Sequence, residues 1–153
     1  MGDDELFREI SGRLADELVA VVPAWVERCV AELHDAWAGT TPAGVRDAAA
    51  AAGTRAAEQI RVDLDALFAL DLDEQRTNPL HLVRRLVVHP TEVLADAGVG
   101  EVVRDGDAER MFPDDVYDLT PGAFTDLAPD LHELGLAWGA AKAKAHLARR
   151  RSS

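Results

Sequence analysis

The chain has 153 residues, a formal net charge of −12, 48% hydrophobic and 29% charged residues, and one cysteine. This is the composition of a single globular domain, not of a disordered chain. It excludes a disulfide framework and a cysteine-based metal site within the chain. The acidic balance also argues against nucleic acid as a main partner, because neutralising phosphates needs clustered Lys and Arg.

Residues 4–38 read as helix. Phe7, Ile10, Leu14, Leu18, Val21, Trp25, Cys29 and Leu33 recur at spacings of three and four, which keeps them on one face. Asp3, Asp4 and Glu5 suit the positive end of that helix. Pro23 lies inside the pattern, and a mid-helix proline costs about 3 kcal/mol. A kink or break is therefore expected near 19–22, giving two shorter helices. Cys29 follows Trp25 on the apolar face and reads as a buried thiol rather than a nucleophile.

Ala38-Gly39-Thr40 ends this stretch, and Thr41-Pro42 restarts it, with Thr41 as N-cap and Pro42 as the first helical residue. The second helix should reach about Leu72. Ala48–Ala52, Gly53, Ala56 and Ala57 give it a face on which another helix can approach closely. Ile60, Leu64, Leu67 and Phe68 form an ordinary core stripe. Asp71, Asp73 and Glu74 oppose the helix dipole, so fraying is expected there.

At Arg76-Thr77 the chain changes character. Five of its seven prolines lie between Pro79 and Pro129. The expected division is one domain, 1–153, with a helical scaffold over 1–76 and a turn-rich region plus C-terminal helix over 77–150. Asn78-Pro79 starts a helix to about Val88, with Leu80, Val83, Leu86 and Val87 inward. His89-Pro90 should break it, and a short helix should follow from Pro90 to Ala97, ending at Gly98. Residues 98–130 lack sustained periodicity, and a segment this long is usually functional or packed by its own side chains. Val99, Val102 and Val103 could make one extended piece, and 113–119 and 121–127 single helical turns. Asp130 should cap the last helix, about Leu131 to Arg150.

That last helix contains Gly135-Leu-Ala-Trp138-Gly139. Each glycine costs about 1 kcal/mol relative to alanine, so close approach of a second backbone is expected, with the Ala48–Ala57 face as the partner. Residues 131–153 carry five cations against Glu133, a net of +4, leaving −16 on the rest. Such a tail either complements the negative end of its own helix or docks on an acidic surface, including that of a sister subunit. No run of about 18 apolar residues exists, so no membrane helix is expected. The first ten residues are acidic, unlike a signal peptide, so a cytoplasmic location is expected.

Several residue groups could carry chemistry. Asp114, Asp115 and Asp118 would share one side of a helix and could offer oxygen ligands to Mg²⁺ beside a phosphorylated substrate. They spell the Asp-Asp-x-x-Asp motif of helical prenyl-diphosphate enzymes, but no second acidic motif accompanies them. The simpler reading is that acids just after Pro113 favour a helix N-terminus. Arg84, Arg85, Arg104 and Arg110 could converge on a phosphate or carboxylate, or pair internally with Asp105, Asp107, Asp114 or Asp115. Trp25, Trp37 and Trp138 could form an aromatic clamp or anchor packing. The five histidines include no i, i+4 pair and no His-Glu-x-x-His. Serine occurs only at Ser11, Ser152 and Ser153, outside any Gly-x-Ser-x-Gly, which argues against a serine hydrolase. No cofactor is implied. The candidate ligand or interface residues are Arg84, Arg85, Arg104, Tyr117, His132, Trp138 and Gly139.

Thr77-Asn-Pro-Leu80, Pro90-Thr-Glu-Val-Leu94, Ala97-Gly-Val99, Arg104-Asp105, Phe112-Pro-Asp-Asp-Val-Tyr117, Leu119-Thr-Pro121, Leu131-His-Glu133 and Trp138-Gly-Ala-Ala-Lys142 stand out together. In these the chain resembles a group of small helical proteins of high-GC actinobacteria. The bias toward Ala, Arg, Asp and Val fits such a genome. The resemblance covers about half the chain, residues 77–146. It implies that this half is the group's signature, and it transfers no activity and no catalytic residue.

The expected fold is all-α, a bundle of four or five helices with 98–130 wrapped across it. The leading functional expectation is a non-enzymatic interaction or regulatory protein, acting as a homodimer. A protein binding a small anionic ligand is second. A Mg²⁺-dependent enzyme using Asp114, Asp115 and Asp118 is third.

Overall fold

The computed structural model describes residues 2–99 and 119–152. The fold is all-α, with no strand among the described residues. Helix α1 spans Asp3–Ala38, α2 Ala43–Ala69, α3 Pro79–Arg84, α4 Val88–Asp96 and α5 Leu131–Ser152. Single 3₁₀ turns sit at Leu72–Glu74, Arg85–Val87 and Phe124–Asp126. At 1.5 Å per residue α1 is about 54 Å long, and every other helix leans on it or on α2. The most extensive pairing is α1 with α2. Helix α5 lies on α1, and α3–α4 cross both α1 and α2.

Helix α1 is continuous, with Pro23 inside it, so the expected break into two helices does not occur. The reason lies across the interface. A Cβ added at Gly53 of α2 would lie 3.0 Å from both the Cα and the carbonyl oxygen of Pro23. Helix α2 therefore closes on α1 at the proline itself, and packing there offsets the backbone bond that proline cannot make.

This also corrects the expected clamp between the small faces of the second and last helices. The small face of α2 (Ala49, Ala52, Gly53 and Ala56) is buried, but Gly53 meets α1 rather than α5. Gly135 of α5 is covered instead by Phe124, whose Cδ2 would be 2.9 Å from an added Cβ. Gly139 has none of the described residues within 4 Å of such an atom.

The start of α2 is also displaced by one residue. Pro42 is the N-cap and makes no side-chain cap. Thr41 is buried, and its hydroxyl donates to Asp35 Oδ1 at 2.5 Å, with Ala31 O at 3.3 Å. It fastens the α1–α2 loop to α1 instead of capping α2. His34 Nδ1 lies 2.7 Å from the Thr40 carbonyl and secures the same loop.

Helix α3 begins as expected, with Pro79 in its first turn and the Asn78 side chain accepting from Leu80 N–H at 2.9 Å. The expected break at His89-Pro90 is absent. Proline lacks the N–H that would bond the Leu86 carbonyl, and the chain there tightens into the 3₁₀ turn at Arg85–Val87 before α4 starts at Val88. Val99 is buried and helical rather than extended. Val102 and Val103 lie outside the described residues.

The core is built from Leu14, Leu18, Val22, Val26 and Val30 of α1, Ile60 and Leu64 of α2, Val83 and Leu86, and Leu131, Trp138, Ala141 and Ala145 of α5. No described helix is long and apolar enough to cross a membrane.

Candidate functional site

Residues 119–130, the end of the turn-rich region before α5, form a strap pinned from both sides. Arg84 of α3 donates to the Pro121 carbonyl at 3.1 Å and to the Gly122 carbonyl at 3.4 Å. Arg28 of α1 donates to the carbonyls of Asp126 at 3.1 Å and Leu127 at 3.2 Å. Asp126 Oδ2 accepts from the backbone of Gly122 at 2.7 Å and Ala123 at 3.1 Å, closing the strap on itself. Phe124 then lies on Gly135, and Leu127 is buried. Arg84 thus places its Nε and one Nη donor on backbone carbonyls of the strap. Arg85 is exposed beside it.

At one end of the bundle α1, α2 and α5 meet around Trp138, which is 6% exposed. Its ring packs against Phe7 and Phe68, with centroids 5.7 and 6.3 Å away. Its indole N–H donates to Ser11 Oγ at 3.0 Å. Lys142 Nζ sits 5.1 Å from the ring centroid and donates to the Gln75 carbonyl at 3.3 Å. Partial burial lowers the pKa of Lys142. Next to this cluster lies a cavity of about 80 Å³, lined in part by Ser11, Gln75, Asp71 and Arg149. Arg149 makes two bonds to the Asp71 carboxylate, at 3.0 and 3.1 Å, and reaches Asp73 at 3.3 Å and Asp4 at 3.7 Å. That hydrogen-bonded guanidinium holds Asp71 below the usual carboxylate range. One arginine of the basic tail therefore docks on an acidic surface of its own chain.

The outer face of α5 is a third feature. Leu136, Ala140, Ala143 and Leu147 follow one another at spacings of four, three and four, and all are exposed. Leu136 is 58% and Leu147 48% exposed. They lie opposite Trp138 and Ala145, so α5 is apolar on two sides while the bundle uses one. Glu133 and Arg150 extend the same line at the same spacing, and Gly139 lies beside it.

Of the expected site residues, Trp138 is a core residue with its polar end satisfied, and Gly139 and His132 are exposed on α5. Among the described residues, Arg84 grips the strap while Trp138 packs at the end of the bundle. The ring contacts pair Trp138 with phenylalanines and Trp37 with His34, so the three tryptophans form no clamp among the described residues. Asp114, Asp115, Asp118, Arg104, Arg110 and Tyr117 lie outside the described residues. Among the described residues, no three His, Cys, Asp or Glu side chains are grouped to hold a metal ion. Arg28 and Ser11 were not singled out by sequence. Each is one polar residue on a helix, and nothing local announces that its partner lies about a hundred positions away. No family model, curated protein or solved structure matches the chain.

Proposed function

We propose that the protein is a non-enzymatic interaction protein that works by self-association, with the outer face of α5 as its contact surface. The observation that carries this is the exposed Leu136-Ala140-Ala143-Leu147 line, an apolar seam that the described residues leave uncovered. Apolar residues repeated at alternating spacings of four and three are what one helix presents to another. Small residues at the middle of the seam let two backbones come close.

Gly139 separates this reading from a purely structural one. In the single chain a Cβ added there meets none of the described residues within 4 Å. Gly139→Leu should therefore keep or raise the melting temperature of the dilute protein while abolishing self-association. Light scattering across a concentration series, with circular dichroism as the control, measures both. A wild-type protein that stays monomeric at the highest concentration would overturn the proposal.

A further inference from the structure

We propose that the cleft between the first half of α1 and the end of α2 binds a small organic carboxylate with a flat, apolar body. The proposal does not depend on self-association, because every residue it uses lies in one chain. The two helices leave a groove of about 410 Å³. It shares Arg8, Ser11 and Phe68 as walls with the cavity of about 80 Å³ beside Trp138, so the two spaces adjoin. Gly12, Ala15 and Ala69 also line the groove. A glycine inside a helix costs about 1 kcal/mol relative to alanine. A Cβ added at Gly12 would meet none of the described residues within 4 Å, so close helix packing does not account for it as it does for Gly53. What the missing side chain leaves is open groove. Phe68 supplies an aromatic wall, its ring packed against Trp138 at 6.3 Å.

Two polar groups select the ligand. Ser11 is 2% exposed, and its oxygen accepts from the Trp138 indole N–H at 3.0 Å. Its own hydroxyl proton finds no acceptor among the described residues. A buried donor left unspent calls for a group that can accept. Arg8 is the second. Around the cleft, Asp16 and Asp65 pair with Arg61 at 2.9 and 3.7 Å, while Asp71 and Asp4 pair with Arg149 at 3.0 and 3.7 Å. Arg8 makes no ion pair or hydrogen bond with the described residues, so it is the charge lining the cleft that they leave unpaired. One guanidinium and one hydroxyl suit a carboxylate, whose two oxygens can accept from both. Asp16 lies eight residues beyond Arg8 on α1, so the groove runs about 12 Å to the Arg61–Asp16 bridge. That length takes a ring joined to its carboxylate by a short chain. The ring would lie over Gly12 and Ala15, against Phe68.

The test titrates the full chain with phenylacetate and follows the Trp138 indole N–H resonance by NMR, because Ser11 connects that proton to the site. A saturable shift with a dissociation constant of about 1 mM is expected. Arg8→Gln should weaken binding about ten-fold, and phenylacetamide, which keeps the shape and lacks the charge, should bind the wild-type protein about ten-fold more weakly than the acid. Gly12→Leu should fill the groove and abolish binding while keeping or raising the melting temperature, since leucine favours a helix more than glycine does. Absence of any shift at about 20 mM phenylacetate would overturn the proposal. So would an amide that binds as tightly as the acid, or a folded Gly12→Leu chain that still binds.

Discussion

Cys29 lies half-buried on α1, and burial raises its thiol to about 11, with Arg28 opposing the rise and Glu32 adding to it. The attacking species in thiol chemistry is the thiolate, so this residue is protonated and inert near neutral pH. Its reaction with a disulfide reagent at pH 8 should be about a hundred-fold slower in the folded protein than in urea. Stopped-flow or simple absorbance traces would show this, and equal rates would mean an accessible thiol of ordinary pKa. Ser11 has the opposite character, being small, polar, buried, and bonded to the indole it serves. Ser11→Ala would leave the Trp138 N–H without its acceptor, at a cost of about 1–3 kcal/mol.

At the scale of helices, two glycines with the same local sequence cost have opposite roles. Gly53→Ala drives a methyl onto the backbone of Pro23, which cannot move without bending α1. Overpacking of this kind should destabilise by about 1–3 kcal/mol. Gly139→Ala meets none of the described residues and should stabilise the monomer by about 1 kcal/mol through helix propensity alone. Urea unfolding of the two variants in dilute solution should therefore shift in opposite directions. The sequence shows that both positions are glycine in helices, but only the fold shows which one is covered. The same limit explains the other differences. Helix α2 was legible because its apolar residues make one narrow stripe, so Ala49, Ala52, Ala56, Ile60, Leu64 and Leu67 are the buried set. Helix α1 carries apolar residues on adjacent lines. Periodicity favours Val21, Cys29 and Leu33, whereas the buried positions are Val22, Val26 and Val30. Pro23 reads as a break until its partner glycine is known. The Asn78-Pro79 start was legible because its cap is local, while the Arg28 and Arg84 grips on the strap connect residues far apart in sequence.

The whole molecule is tied together at the end where α1 begins, α2 finishes and α5 finishes. Arg149 draws Asp4, Asp71 and Asp73 to one guanidinium, joining three helices that would otherwise meet there through acidic residues. A chain with net charge −12 repels itself when folded, so a cation placed among its acids has more effect on the global structure than one exposed pair implies. The pH dependence follows from the direction of the Asp71 shift. Its folded pKa lies below the unfolded value because the hydrogen-bonded Arg149 favours the carboxylate. The stabilisation is therefore complete above the unfolded pKa of about 3.9 and is lost as pH falls through the lower folded value. Asp71→Asn keeps the size of the side chain and removes the charge. The wild-type protein should be more stable than this variant at pH 7 and at pH 5 by a similar margin, and the margin should shrink below about pH 4. Added salt should narrow it at every pH, because the ion pair is exposed and screened. Urea unfolding of both proteins at three pH values and two salt concentrations measures this directly. A margin that persists unchanged into the acid range would mean that Arg149 holds the bundle end through packing of its stem rather than through its charge.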